Sequence, residues 1–109
     1  MPRRPARSAF ATLAIALAAA LAPPAAAQRD FSKVEIRAEK LADTVWMLTG
    51  SGGNLAVSAG EDAVFLVDDQ YAPLTERIVA AIGRISAKPV RFVLNTHWHG
   101  DHVGGNEAL

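Results

Sequence analysis

The chain has 109 residues, with 11 Lys and Arg balancing 11 Asp and Glu, three histidines and no cysteine. Without cysteine no disulfide can form, and any bound metal must be held by histidine and carboxylate. No Lys/Arg stripe interleaved with aromatics follows the first few residues, so nucleic acid is not an expected partner.

Residues 1–27 open with Arg3, Arg4 and Arg7, continue through the Ala/Leu-rich stretch Ala9 to Ala22, and end in Pro23-Pro24 and Ala25-Ala26-Ala27. A charged start, a short apolar run and a small-residue site in that order predict a secretory signal peptide cleaved after Ala27, and hence a periplasmic or secreted protein. The 14 residues of the apolar run fall short of the ~20 that span a bilayer, so no permanent membrane anchor is expected. Arg3-Arg4 suggests a twin-arginine route, but Pro2 and Pro5 do not fit that motif. From Gln28 onward 82 residues remain, with eight basic and eleven acidic side chains and a net charge of −3.

Phe31 to Asp69 alternates strand and turn signals. Val34 to Ala38 alternates apolar and polar residues as a half-buried edge strand does, Lys40 to Asp43 turns, and Val45 to Leu48 returns as strand. Gly50-Ser51-Gly52-Gly53-Asn54 then turns the chain. Its glycine density would suit a phosphate loop, but Leu55 to Ala59 reads as strand and offers no helix N-terminus, so a hairpin is the expectation. Gly60-Glu61-Asp62 makes another turn. Ala63 to Val67 is a continuous apolar run of the kind buried on both faces, ending in Asp68-Asp69. Either aspartate could be an ordinary solvated strand end or helix cap, and Asp69 is the one better described that way.

Pro73 suits a first helical position, and Leu74, Ile78, Ala81, Ile82 and Ile85 recur at helical spacing opposite Glu76, Arg77, Arg84 and Lys88. An amphipathic helix ending at Lys88-Pro89 and packed on a sheet is predicted. Val90 to Leu94 is again strand, and Asn106 to Leu109 would begin a further helix.

Between them lies Thr96-His97-Trp98-His99-Gly100-Asp101-His102, which gathers all three histidines and one carboxylate on the loop after a strand end. A lone histidine there would be an unremarked polar loop residue; the cluster is metal-ligand chemistry. His97 and His99 are two apart, which rules out the i, i+4 pairing of helical zinc proteases but lets an extended backbone present both to one ion. Asp101 and His102 are adjacent and would point toward a second ion, about 3.5–4 Å from the first. Imidazole and carboxylate together suit zinc and similar first-row metals. The His-x-His that closes the first strand of amidohydrolase barrels is an alternative, but it accounts for neither the following Asp-His nor the preceding strands.

Asn95 to Asn106 resembles the His-x-His-x-Asp-His signature of the metallo-β-lactamase superfamily. The resemblance implies an α/β (α+β) fold, the N-terminal half of an αββα sandwich, over residues 28–109; the signal-peptide helix expected before it is read from residues 1–27. It implies two zinc ions per complete domain: His97 and His99 at the first site, Asp101 and His102 at the second. It also makes Asp101 the catalytic group orienting the nucleophile, and Asp68 a residue behind the ligands that steadies their loop. Histidine rather than arginine at position 102 is similar to the subclass B3 β-lactamases and glyoxalase II. The family's later motifs, a third first-site histidine, a bridging aspartate and a last histidine, have no counterpart here, and a complete sandwich takes roughly 200 residues or more. The expected activity is zinc-dependent hydrolysis of an ester, thioester, lactone or amide in a small-molecule substrate, with a B3-like β-lactamase or a truncated, non-catalytic metal binder as alternatives.

Overall fold

The computed structural model describes residues 28–109; the proposed signal peptide lies outside them. Five strands form one sheet in chain order: β1 (Arg37–Lys40), β2 (Val45–Thr49), β3 (Leu55–Ala59), β4 (Val64–Val67) and β5 (Val90–Leu94). β1 to β4 make an antiparallel meander, whereas β5 pairs parallel to β4 after a helical crossover. That crossover consists of a 3-10 turn, Ala72–Leu74, followed by helix α1, Thr75–Ile85. A single helical turn, α2 (Gly100–Val103), follows β5.

Pairing registers sort the strands into two faces. Leu48, Leu55, Val57, Val64 and Leu66 lie beneath α1 and form the core with Leu74, Ile78, Ala81 and Ile82. Each fully buried leucine or isoleucine stabilises the fold by roughly 1.5–3 kcal/mol relative to exposure. The opposite face carries Phe65, paired with Phe92, and Val67, paired with Leu94. Phe92 and Leu94 are 59% and 53% exposed, and Phe65 39%. The expectation that Ala63 to Val67 is buried on both faces is therefore corrected. Strand period two puts Val64 and Leu66 under the helix and Phe65 on the face that no described element covers.

Three other boundaries differ from the expectation. β1 begins at Arg37, not Val34, because Arg77 Nη1 donates to the carbonyls of Phe31 and Val34 at 2.7 and 2.8 Å, so this backbone bonds to α1 instead of to β2. Val34 and Ile36 still pack against the core. Pro73 sits in the 3-10 turn, and α1 starts at Thr75 and ends at Ile85, where the Ser86 N–H closes the last turn on Ile82 O. Residues 105–108 form turns instead of a helix, since the helical turn comes earlier, at Gly100. No helix among the described residues is long and apolar enough to cross a membrane.

Candidate metal centre

The centre is built where β4 and β5 end side by side. Parallel pairing brings Asp68 next to the start of the His-rich loop, with the Asp68 N–H donating to Leu94 O at 2.8 Å. Asp68 is 2% exposed and adopts a left-handed backbone, φ 61°; Gln70, fully buried, does the same at φ 55°. Non-glycine residues held there cost on the order of 1–3 kcal/mol each and persist where surrounding contacts over-determine them. Those contacts are visible. Asp68 Oδ1 accepts the Thr96 N–H at 2.7 Å, and Oδ2 accepts the Thr96 hydroxyl at 2.8 Å and His102 Nδ1 at 2.7 Å. Burial alone would raise the Asp68 carboxyl, but the bonds from His102 and Thr96, with the His102 charge, outweigh it and hold the group below the usual carboxylate range.

An ionised Asp68 is acceptor-only, and that assigns the protons around it. Thr96 must spend its hydroxyl hydrogen on Asp68, so it accepts from His97 Nδ1, 2.9 Å away. His97 then carries its proton on Nδ1 and leaves Nε2 as a lone pair. His102 likewise keeps its proton on Nδ1, toward Asp68, and in the neutral ring its Nε2 lone pair faces Asp101 Oδ2 at 3.5 Å.

Two pairs of donors result. His97 Nε2 lies 3.1 Å from His99 Nδ1. With zinc–ligand distances of about 2.0–2.2 Å, atoms 3.1 and 3.5 Å apart subtend about 100° and about 115° at an ion, both close to tetrahedral. The residues present thus fit zinc in pairs. Among the described residues no three histidine or carboxylate side chains are arranged to hold one ion together. The rings of His97 and His102 lie close, 3.9 Å between centroids and tilted by 49°, so the two pairs adjoin.

Asp101 is fixed from the other side. Its Oδ2 accepts the Gly53 N–H at 2.9 Å. Partial burial opposes its ionisation, but this bond, its own backbone N–H and the nearby His102 and His99 hold it below the ordinary value. The turn that supplies Gly53 must be glycine. A Cβ on Gly53 would overlap His102 Cε1 and lie 2.6 Å from Nε2, and one on Gly52, where φ is +89°, would lie 2.6 Å from Asp101 Cβ. This turn was expected to be a plain hairpin; it is also a wall of the centre, and neither its spacing nor its composition distinguishes the two.

Asp69 departs from the expectation of a solvated strand end. It is 1% exposed, its Oδ1 accepts the Gly105 N–H at 2.8 Å, and burial pushes its carboxyl up, aided by Asp68. Its backbone N–H donates to His102 O, which also accepts from Asn95 Nδ2. Gly104 and Gly105 permit this approach, since a Cβ on either would come within 2.7 Å of the Gln70 or Asp69 carbonyl oxygen.

The metallo-beta-lactamase superfamily model matches residues 48–109, more than half of the chain. The chain belongs to this superfamily. In fold it is similar to a metallo-beta-lactamase from Erythrobacter litoralis, at 35% identity and TM-score 0.62, covering 74% of this chain and 39% of that one. It is also similar to the FIM-1 metallo-beta-lactamase from Pseudomonas aeruginosa, solved in a mono-zinc form, at 27% identity and TM-score 0.62 over 70% of this chain and 38% of that one. In sequence it is 31% identical over 70 residues to the probable hydroxyacylglutathione hydrolase glo2 of Schizosaccharomyces pombe, covering 60% of this chain and 27% of that protein. The chain thus spans about a quarter of its curated relative and about two fifths of these solved structures. The mixed sheet with its crossover helix is one half of the superfamily fold.

Proposed function

We propose that the protein is an exported, zinc-dependent hydrolase acting on an ester, thioester, lactone or amide bond of a small molecule. The observation that carries the proposal is the His102 ring. Asp68 Oδ2 engages Nδ1 at 2.7 Å, which leaves Nε2 as the ring atom that faces Asp101 Oδ2 at 3.5 Å, the separation of two ligands on one cation. His97 and His99 would hold one zinc, Asp101 and His102 a second, with further ligands needed to reach the three or four that stable sites require.

Bound zinc supplies Lewis acidity that lowers the pKa of water and polarises a carbonyl oxygen. The chain's own contribution is orientation. Asp68 and Thr96 hold the rings of His102 and His97 in the tautomers that present Nε2. Asp101, with Oδ2 engaged by Gly53, offers its second oxygen to accept a hydrogen bond from the attacking water and set its direction. The hydroxyacylglutathione hydrolase relative favours thioester-like substrates; the solved β-lactamases and His102 favour a B3-like β-lactamase as the second assignment.

In the complete protein, His97→Ala and Asp101→Ala should each reduce hydrolysis by orders of magnitude while export continues. Retained activity in both, with unchanged metal content, would overturn the assignment. Export itself rests on residues 1–27 and is tested by sequencing the N-terminus of the secreted protein, expected at Gln28; an intact Met1 form held in the membrane would contradict it.

A further inference from the structure

We infer that Gln70 is a positioning residue for the second metal site, acting on Asp101 through the Gly50–Gly53 turn; the inference rests on the metal-centre assignment above. Gln70 is fully buried at the end of β4, in the left-handed conformation at φ 55°. Its side chain reaches across to the β2–β3 turn and meets it with both ends of the amide. Nε2 donates to Gly53 O at 2.6 Å, and Oε1 accepts the Ser51 N–H at 3.2 Å. The next group along is the Gly53 N–H, which donates to Asp101 Oδ2 at 2.9 Å. The turn has closed around this side chain, since a Cβ on Gly50 would lie 2.6 Å from Gln70 Oε1.

A neutral amide satisfies this arrangement, and an ionised carboxylate cannot. The group must present one donor and one acceptor at once, to a carbonyl and an N–H two residues apart. Glutamate, of the same shape, keeps the acceptor for Ser51 but sets a carboxylate oxygen against the Gly53 carbonyl. A turn released by that contact no longer aims its N–H at Asp101. The side-chain bonds of His97 and His99 run to Thr96 and to each other, not to this turn, whereas Asp101 is bonded to it. The link is therefore selective for the second site. Residues beyond the first ligands commonly tune metal affinity by 10–100-fold, and Gln70 is placed to do so by way of a backbone amide.

The test compares Gln70→Glu and Gln70→Met with the wild type in the complete protein, each checked for folding by circular dichroism and thermal melting. Cobalt(II) titration followed by d–d absorption reads the two sites, and the Gly53 amide resonance in 15N–1H spectra of the metal-free protein reads the hydrogen bond directly. The expected result is an upfield shift of the Gly53 proton in both variants, with second-site affinity down tenfold or more and first-site affinity unchanged. Wild-type Gly53 shift and wild-type affinities in both variants would overturn the role of Gln70 while leaving the metal centre standing. Equal loss at both sites would also overturn it, as general loosening of the fold. A wild-type protein that takes up no cobalt would overturn the metal-centre assignment and this inference with it.

Discussion

Asp68 Oδ2 and His102 Nδ1 are 2.7 Å apart although 34 residues separate them in sequence. The aspartate thereby decides which ring nitrogen of His102 is free, and the parallel pairing of β4 with β5 is what brings the two together. Asp68→Ala removes the acceptor for His102 and for both Thr96 groups. It should weaken zinc binding about 10–100-fold, measured by competition with a chromophoric chelator. An unchanged affinity would mean that His102 is oriented by something else.

The same carboxylate sets part of the acid stability. Its folded value lies below the unfolded reference of 3.8, so its stabilising contribution is complete above about pH 4 and is lost as pH falls through the folded value. Asp69 has the opposite sign. Its folded value is raised, so what it contributes is present below the unfolded value and lost as pH rises through the folded one. In metal-free protein, the urea midpoint of Asp68→Asn relative to wild type should therefore improve as pH drops below about 4. That of Asp69→Asn should improve as pH rises above it. Difference curves of the same sign would show that the two carboxyls do not titrate as their surroundings dictate.

Gly53→Ala tests the wall of the centre. The added Cβ would meet the His102 ring, with Nε2 at 2.6 Å, so either the ring or the turn must move and the amide bond to Asp101 lengthens. Zinc affinity should drop at least tenfold, as for other groups behind a ligand, with a smaller change in the melting temperature. Gly83→Ala is the control, because a Cβ there meets nothing within 4 Å. Within α1 that substitution should raise stability by roughly 0.5–1 kcal/mol.

How much of this was legible in the sequence follows from the range of each interaction. β2, β3, β5 and the helix are local patterns; their periodicity located the strands to within a residue and the helix to within three. Val34 to Ala38 misled because a side chain from α1, Arg77, took carbonyls that a strand partner would have used. At the centre, the ligand-type residues announce themselves by type and spacing within six positions. Gly53, Gln70 and Asp69 do not, since each acts on residues more than 15 positions away through a backbone group or a buried carboxyl. A buried glutamine after Asp-Asp carries no compositional signal, and its role emerges only once the β2–β3 turn is seen folded against the end of β4.

The exposed face supplies the last prediction. Phe65 stacks on Phe92, ring centroids 5.9 Å apart, with Leu94 beside them and no covering layer among the described residues. The apolar surface left bare is this one, and not the Val64 and Leu66 face, which α1 covers. Residues 28–109 expressed by themselves should therefore bind the dye ANS and self-associate, because water-exposed aromatic patches and the open edge of β5 both favour association. Phe92→Ser should reduce dye binding and shift the sedimentation profile toward monomer, since it removes the more exposed ring of the stacked pair without touching the core beneath α1. If Leu66→Ser, on the covered face, suppressed association equally while the protein stayed folded, the assignment of the two faces would be wrong.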